Sequence, residues 1–128
     1  MNFSIKKLLA WPLVFIAACH PKMARENAAA LKKIGFDISK INDDGLSGPT
    51  GGQTSVAYEF CIPADEKLLK EVRSIDPLVE KSGGRGRVGC SPNQWLCLSA
   101  THQKDWKKKL LGLARLPYVK RIEQVFYE

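Results

Sequence analysis

The stretch Val56-Ala57-Tyr58-Glu59-Phe60-Cys61-Ile62 decides the fold, together with Pro63-Ala64-Asp65 and the segment Glu66–Ile75 that follows. Tyr58, Phe60 and Ile62 alternate with smaller or polar neighbours, the period of a half-buried strand. Pro63 and Ala64 end that period. Asp65 has the chemistry of a helix N-cap, because a short carboxylate accepts the free amides of a first turn. Leu68, Val72 and Ile75 then recur at i, i+4 and i+7, one face of an amphipathic helix. Asp76-Pro77 stops the helix, since the residue before a proline is pushed out of helical geometry.

The rest of the chain extends this strand-helix unit. Arg85–Cys90 and Trp95–Ala100 read as two further strands, joined by Ser91-Pro92-Asn93-Gln94, a tight-turn sequence. Asp105 opens a second helix with Trp106, Leu110, Leu113 and Ala114 on one face, and Pro117 closes it. Val119–Tyr127 reads as a last strand with Ile122 and Phe126 on one side. The order β-α-β-β-α-β in about 75 residues predicts an α+β, ferredoxin-like domain. Its four-stranded antiparallel sheet is expected to carry both helices on one face.

Alternation then divides the sheet into two faces. With Tyr58, Phe60, Ile62, Leu96, Leu98, Ala100, Ile122 and Phe126 under the helices, Glu59, Cys61, Trp95, Cys97, Ser99, Glu123, Val125 and Tyr127 face away. An open face with Trp95, Val125 and Tyr127 is more apolar than solvent requires, and such patches mark partner sites. Glu59, Trp95, Ser99, Val125 and Tyr127 are therefore the candidate binding residues. The alternative is that the segment after residue 19 folds back and covers them. A tight turn at Pro92-Asn93 sets Cys90 on the same face, so Cys61, Cys90 and Cys97 are expected to share it. One disulfide is expected, Cys90–Cys97 by preference, with Cys61 as a competitor for Cys97.

Other motifs carry less. Gly84-Arg85-Gly86-Arg87-Val88-Gly89 matches G-x-G-x-x-G, but a dinucleotide site needs a strand before it and a helix after it. A Cys-Ser-Pro turn follows instead, so the segment reads as a flexible strand entry, and no cofactor is expected. Cys97, His102 and Asp105 are the residue types of a nucleophile and its helpers, but His102 sits at a strand-helix junction, where a polar cap is the commoner explanation. The cysteine spacing fits no standard zinc pattern, and no metal is expected. Lys107-Lys108-Lys109 reads as the solvated side of the second helix, near lipid headgroups if the protein is tethered to them.

Ahead of the domain, Lys6 and Lys7 precede a short apolar run, Leu8–Ile16, and the small residues Ala17-Ala18. That run is too short to span a bilayer and has the layout of a signal peptide over residues 1–18. Ile16-Ala17-Ala18-Cys19 resembles the lipobox of bacterial prolipoproteins. The resemblance implies cleavage before Cys19 and lipidation of its thiol and new amino group. Residue 20 is His, not the Asp that favours the inner membrane in enterobacterial sorting, which points to the outer membrane. Residues 19–53 read as a lipid-anchored stalk: a short helix with Ala24, Ala28, Leu31 and Ile34 at helical spacing, then a Gly-, Asp- and Ser-rich linker from Asn42 to Gln53. Residues 54–128 form the domain. Loss of residues 1–18 leaves 110 of the 128 residues, and the formal charge falls from +7 to +5 because Lys6 and Lys7 go with it. A basic surface favours anionic partners such as lipid headgroups. Nucleic acid is not expected for an exported lipoprotein.

Leu110, Leu113 and Leu116-Pro117-Tyr118-Val119-Lys120-Arg121-Ile122-Glu123 are similar to the end of subtilisin-type propeptides of the inhibitor I9 group. The resemblance implies a ferredoxin-like fold whose open sheet face packs on a protease. No inhibitory tail is expected after Glu128. The leading expectation is a non-enzymatic, lipid-anchored envelope protein that binds another protein through its open sheet face. The alternatives are a protease or toxin inhibitor of immunity type, and a thiol-dependent or hydrolytic enzyme using Cys97 or His102.

Overall fold

A computed structural model describes Lys22 and residues 24–127. The expected signal peptide and Cys19 lie outside these residues. Helix α1 covers residues 24–33. A two-stranded ribbon follows, β1 (Leu46–Ser47) with β2 (Thr54–Ser55). Then come β3 (Ala57–Pro63), α2 (Glu66–Ile75), β4 (Glu80–Ser82), β5 (Gln94–Ala100), α3 (Trp106–Ala114) and β6 (Ile122–Val125). The fold is α+β, and its main sheet is antiparallel throughout, in the order β4-β5-β3-β6. Among the described residues no helix is long and apolar enough to cross a membrane.

The strand-helix unit forms as its sequence dictates. Tyr58, Phe60 and Ile62 of β3 are buried, and Asp65 caps α2 by accepting from the amides of Lys67 (2.7 Å) and Leu68 (3.4 Å). Val72 of α2 and Trp106, Leu110, Leu113 and Ala114 of α3 complete one core with these β3 residues, and Ile75 packs against it. Leu69 enters this core in place of the expected Leu68, which is half-buried outside it. Large apolar side chains buried in this way contribute about 1.5–3 kcal/mol each.

The strand expected at Arg85–Cys90 is not formed. Its place beside β5 is taken by β4, with Glu80 opposite Leu98 and Ser82 opposite Leu96. Residues 83–93 instead make a loop that folds over one sheet face. The faces of β5 are also exchanged relative to the sequence reading. Ile62 stands opposite Trp95, Phe60 opposite Cys97 and Tyr58 opposite Ser99. Trp95, Cys97 and Ser99 therefore lie on the helix side, and Leu96, Leu98 and Ala100 on the other. The cause is register: a shift of one residue moves every side chain of a strand to the opposite face. In β6, Ile122 is buried as expected, but Phe126 lies past the strand and is 58% exposed.

The segment expected to be a stalk belongs to the folded unit from residue 24 onward. Ala30, Ile34 and Ile41 enter the main core on the helix side, and Phe36 stacks on Tyr58 with ring centroids 6.1 Å apart. Of the apolar residues at helical spacing, Ile34 is buried while Ala24, Ala28 and Leu31 are exposed. The supposed linker is tied down by Trp106, whose indole donates to the Asn42 carbonyl (2.9 Å), and by Thr101, whose hydroxyl donates to the Gly45 carbonyl (2.6 Å). Gly45 has φ +79°, and a Cβ there would stand 1.8 Å from the Thr101 carbonyl oxygen. Only glycine fits that approach.

Candidate functional site

The sheet face turned away from the helices is divided in two. One half lies beneath the 83–93 loop. A disulfide joins Cys61 of β3 to Cys90 of the loop, with Cα atoms 5.5 Å apart. Val88, Cys90 and Leu96 form a small second core with Cys61 against it. The Val88 amide donates to Glu59 Oε1 (2.8 Å), and Arg121 donates to the Val88 carbonyl (2.6 Å). Arg85 donates to the Cys90 carbonyl (3.0 Å). Gly86 makes the close approach possible: its φ is +64°, and a Cβ there would fall 2.7 Å from Glu59 Oε2 and 2.8 Å from Leu96 Cδ1. The glycine and arginine run thus serves to seat a loop on the sheet.

The other half is open. It forms a groove of about 690 Å³. Its floor is Ala57, Leu98, Ala100 and Val125, which the register of β3, β5 and β6 sets side by side. Small side chains at Ala57 and Ala100 deepen the middle. Leu78 and Glu80 make one wall, Phe126 and Tyr127 the other, with Thr54 and Ser55 at the end. Leu78, Phe126 and Tyr127 are 48%, 58% and 76% exposed. Arg87 leans over the Phe126 ring, 5.6 Å from its centroid, where groove and loop meet.

The turn that carries Leu78 is held by a buried carboxylate. Asp76 Oδ2 accepts from the hydroxyls of Tyr58 (3.1 Å) and Ser99 (2.5 Å) and from the Gln103 amide (3.1 Å). Its Oδ1 accepts from the Leu78 amide (2.9 Å). Burial, eased by the Ser99 hydrogen bond and reinforced by the Asp76 charge, raises the Tyr58 phenol well above its ordinary pKa. The groove wall is thereby fixed to the centre of the sheet.

Of the five candidate binding residues, Val125 and Tyr127 lie on the groove. Glu59 is on that face but buried under the loop. Trp95 is on the helix side, where the Lys81 ammonium sits 3.7 Å from its ring centroid. Ser99 is on the helix side, where its hydroxyl donates to Asp76. The sequence reading missed Leu78, Leu98 and Phe126. Leu98 and Phe126 were apolar enough to be placed in the core, and only the register reveals otherwise.

The cysteines also part company. The expected Cys90–Cys97 bridge does not form, because Cys90 lies over one sheet face and Cys97 points into the core on the other. Cys97 is the free cysteine among the described residues, and burial pushes its thiol up to about 11. His102 is exposed, with Nδ1 3.0 Å from the Asp44 carbonyl oxygen. The structure does not bring this buried thiol and the exposed imidazole together. Comparison with protein-family models, curated proteins and solved structures finds no match.

Proposed function

We propose that this chain is a lipid-anchored protein of the bacterial cell envelope, held on the outer membrane through Cys19 and facing the periplasm. Its domain is of the ferredoxin-like type, and it binds a segment of another envelope protein in the open-face groove. The order β4-β5-β3-β6, with antiparallel neighbours and helices after β3 and β5, supports the fold reading. The lipobox-like Ile16-Ala17-Ala18-Cys19 supports the anchor.

The observation that carries the binding role is the grouping of exposed apolar side chains. Four large hydrophobic residues are exposed among the described ones, and Leu78, Phe126 and Tyr127 line this single groove. Scattered exposed apolar residues need no explanation, but a contiguous set around a concave apolar floor favours a partner. The covered half of the face limits the footprint. It favours a short apolar segment over the broad contact that the propeptide resemblance implies for a protease inhibitor.

Co-purification from detergent-solubilised envelopes tests this reading. The native protein and a Lys67→Ser/Lys70→Ser control on exposed positions of α2 should retain the same stoichiometric partner. Phe126→Ser/Tyr127→Ser should weaken it about 30-fold or more, the effect of losing aromatic anchors worth about 2 kcal/mol. Equal recovery with all three proteins would move the binding surface elsewhere.

A further inference from the structure

The fourth exposed apolar residue, Leu31, lies far from the groove residues in sequence and on another element, α1. It belongs to the outward side of that helix. Ala30 and Ile34 face the core, so Ala24, Ala28 and Leu31 form a shallow apolar strip on the solvent side. Arg25 and Lys32, at i and i+7, lie on the adjoining strip, and Lys22 lies further round the helix on its other flank. The positive charge continues at the end of α1 and just after α3. Arg115 donates to Asn27 Oδ1 (2.9 Å), and Lys33 donates to the Leu116 carbonyl (3.1 Å). Burial, and after it the charge of Lys120, lowers the Lys33 ammonium below the ordinary lysine range. Glu26 is the one acid on the helix.

The position of Cys19 gives this surface a partner. Five residue steps separate Cys19 from residue 24, a reach of at most about 18 Å fully extended. The helix itself is about 15 Å long. A lipid on Cys19 therefore tethers the start of α1 within about 18 Å of the headgroups, little more than the helix's own length. The tether lets the basic face of α1 come within a Debye length of about 8 Å of the leaflet, and at that separation anionic headgroups attract it.

We propose that the outward face of α1 lies on the anionic surface of the bilayer, with Leu31 set at the headgroup boundary. This rests on the lipid-anchor reading. Contact there orients the domain: α1 packs in the helix-side core, whereas the groove is on the opposite face of the sheet, so a leaflet held against α1 leaves the groove open to a partner.

The mature acylated protein, with Leu31→Cys carrying a nitroxide, tests the contact in vesicles of phosphatidylethanolamine and phosphatidylglycerol. Leu31 is exposed, so the substitution does not disturb the core, and a second label at Tyr127→Cys reports the groove. The expected result is a severalfold rise in the ratio of oxygen to nickel-chelate accessibility at position 31 on adding vesicles, with position 127 remaining aqueous. Lys22→Glu/Lys32→Glu should abolish the rise while the protein stays vesicle-bound. An acylated, vesicle-bound protein whose position 31 remains aqueous would overturn the docking and leave the anchor standing. Absence of acyl chains on Cys19 by mass spectrometry would remove the anchor and the docking with it. Shielding of position 31 without vesicles would assign the face to a protein contact, including a second copy, and also overturn the proposal.

Discussion

Removing the Cys61–Cys90 bridge isolates what the 83–93 loop contributes. The two cysteines are 29 residues apart in sequence. A crosslink closing a loop of that length lowers the entropy of the unfolded chain by about 12 cal/mol/K, or about 3.6 kcal/mol at 25 °C. That is a large part of the roughly 5–15 kcal/mol available to a domain of this size. Cys61→Ala/Cys90→Ala in a Cys19→Ser background, which keeps the protein off lipid, should lower the urea midpoint by about 1–4 M, for slopes of about 1–3 kcal/mol/M. Fluorescence of Trp95 and Trp106 reads the transition. Hydrogen exchange reads the loop directly, because the Val88 amide is held by Glu59. That amide should exchange faster in the variant, while the amides of β3 change only with global stability. An unchanged midpoint would refute the reasoning, as would peptide mapping that finds Cys97 bridged.

The remaining predictions concern the core and its buried polar groups. Phe60→Ala should cost about 3–5 kcal/mol by thermal or urea unfolding, whereas Tyr127→Ser should stay within about 0.5 kcal/mol. The reverse order would place the open face inside. Asp76→Ala strands the Tyr58 and Ser99 hydroxyls and should cost about 2–6 kcal/mol; a melt unchanged from the native protein would remove the carboxylate from its structural role. The pH dependence follows from Cys97. Its thiol titrates near 9 when unfolded and near 11 when folded, so between these values the unfolded chain has lost a proton that the native state keeps. Stability should be fully present below pH about 9 and fall as pH rises through about 11, with Tyr58 acting in the same direction above pH about 10. Cys97→Ala should flatten the lower part of this decline in urea titrations; an identical decline would assign it to other groups.

The alternation at Tyr58, Phe60 and Ile62, the Asp65 cap, Val72 and Ile75 of α2 and the stripe of α3 were legible because each is a local pattern with strong contrast between buried and exposed positions. Leu69 was not, because Leu68 beside it is equally apolar. The faces of β5 were not. Leu96 is buried under the loop and Cys97 under the helices, so both sides of that strand are apolar and alternation has no contrast to read. β4 is three polar residues, Glu80-Lys81-Ser82, whose strand character comes from pairing with β5 and from nothing in its own composition. Arg85–Cys90 looked like a strand because Val88 and Cys90 are apolar, yet they are apolar to cover Leu96. The Asn42–Gln53 segment has linker composition, and the contacts that fold it in come from Thr101 and Trp106, more than 50 residues away. Of the candidate site, Val125 and Tyr127 were legible from the C-terminal strand. Leu78, Leu98 and Phe126 required the register.

Photo-crosslinking in intact cells tests the central claim, that the open-face groove holds a partner segment. A photoreactive residue at Leu78 or Tyr127 samples the two groove walls, and one at Lys67 or Lys70 samples the outer side of α2. The expected result is one shared crosslinked protein from both groove positions, lost when Phe126→Ser is added, and none from the α2 positions. Crosslinks from α2 with none from either wall of the groove would contradict it.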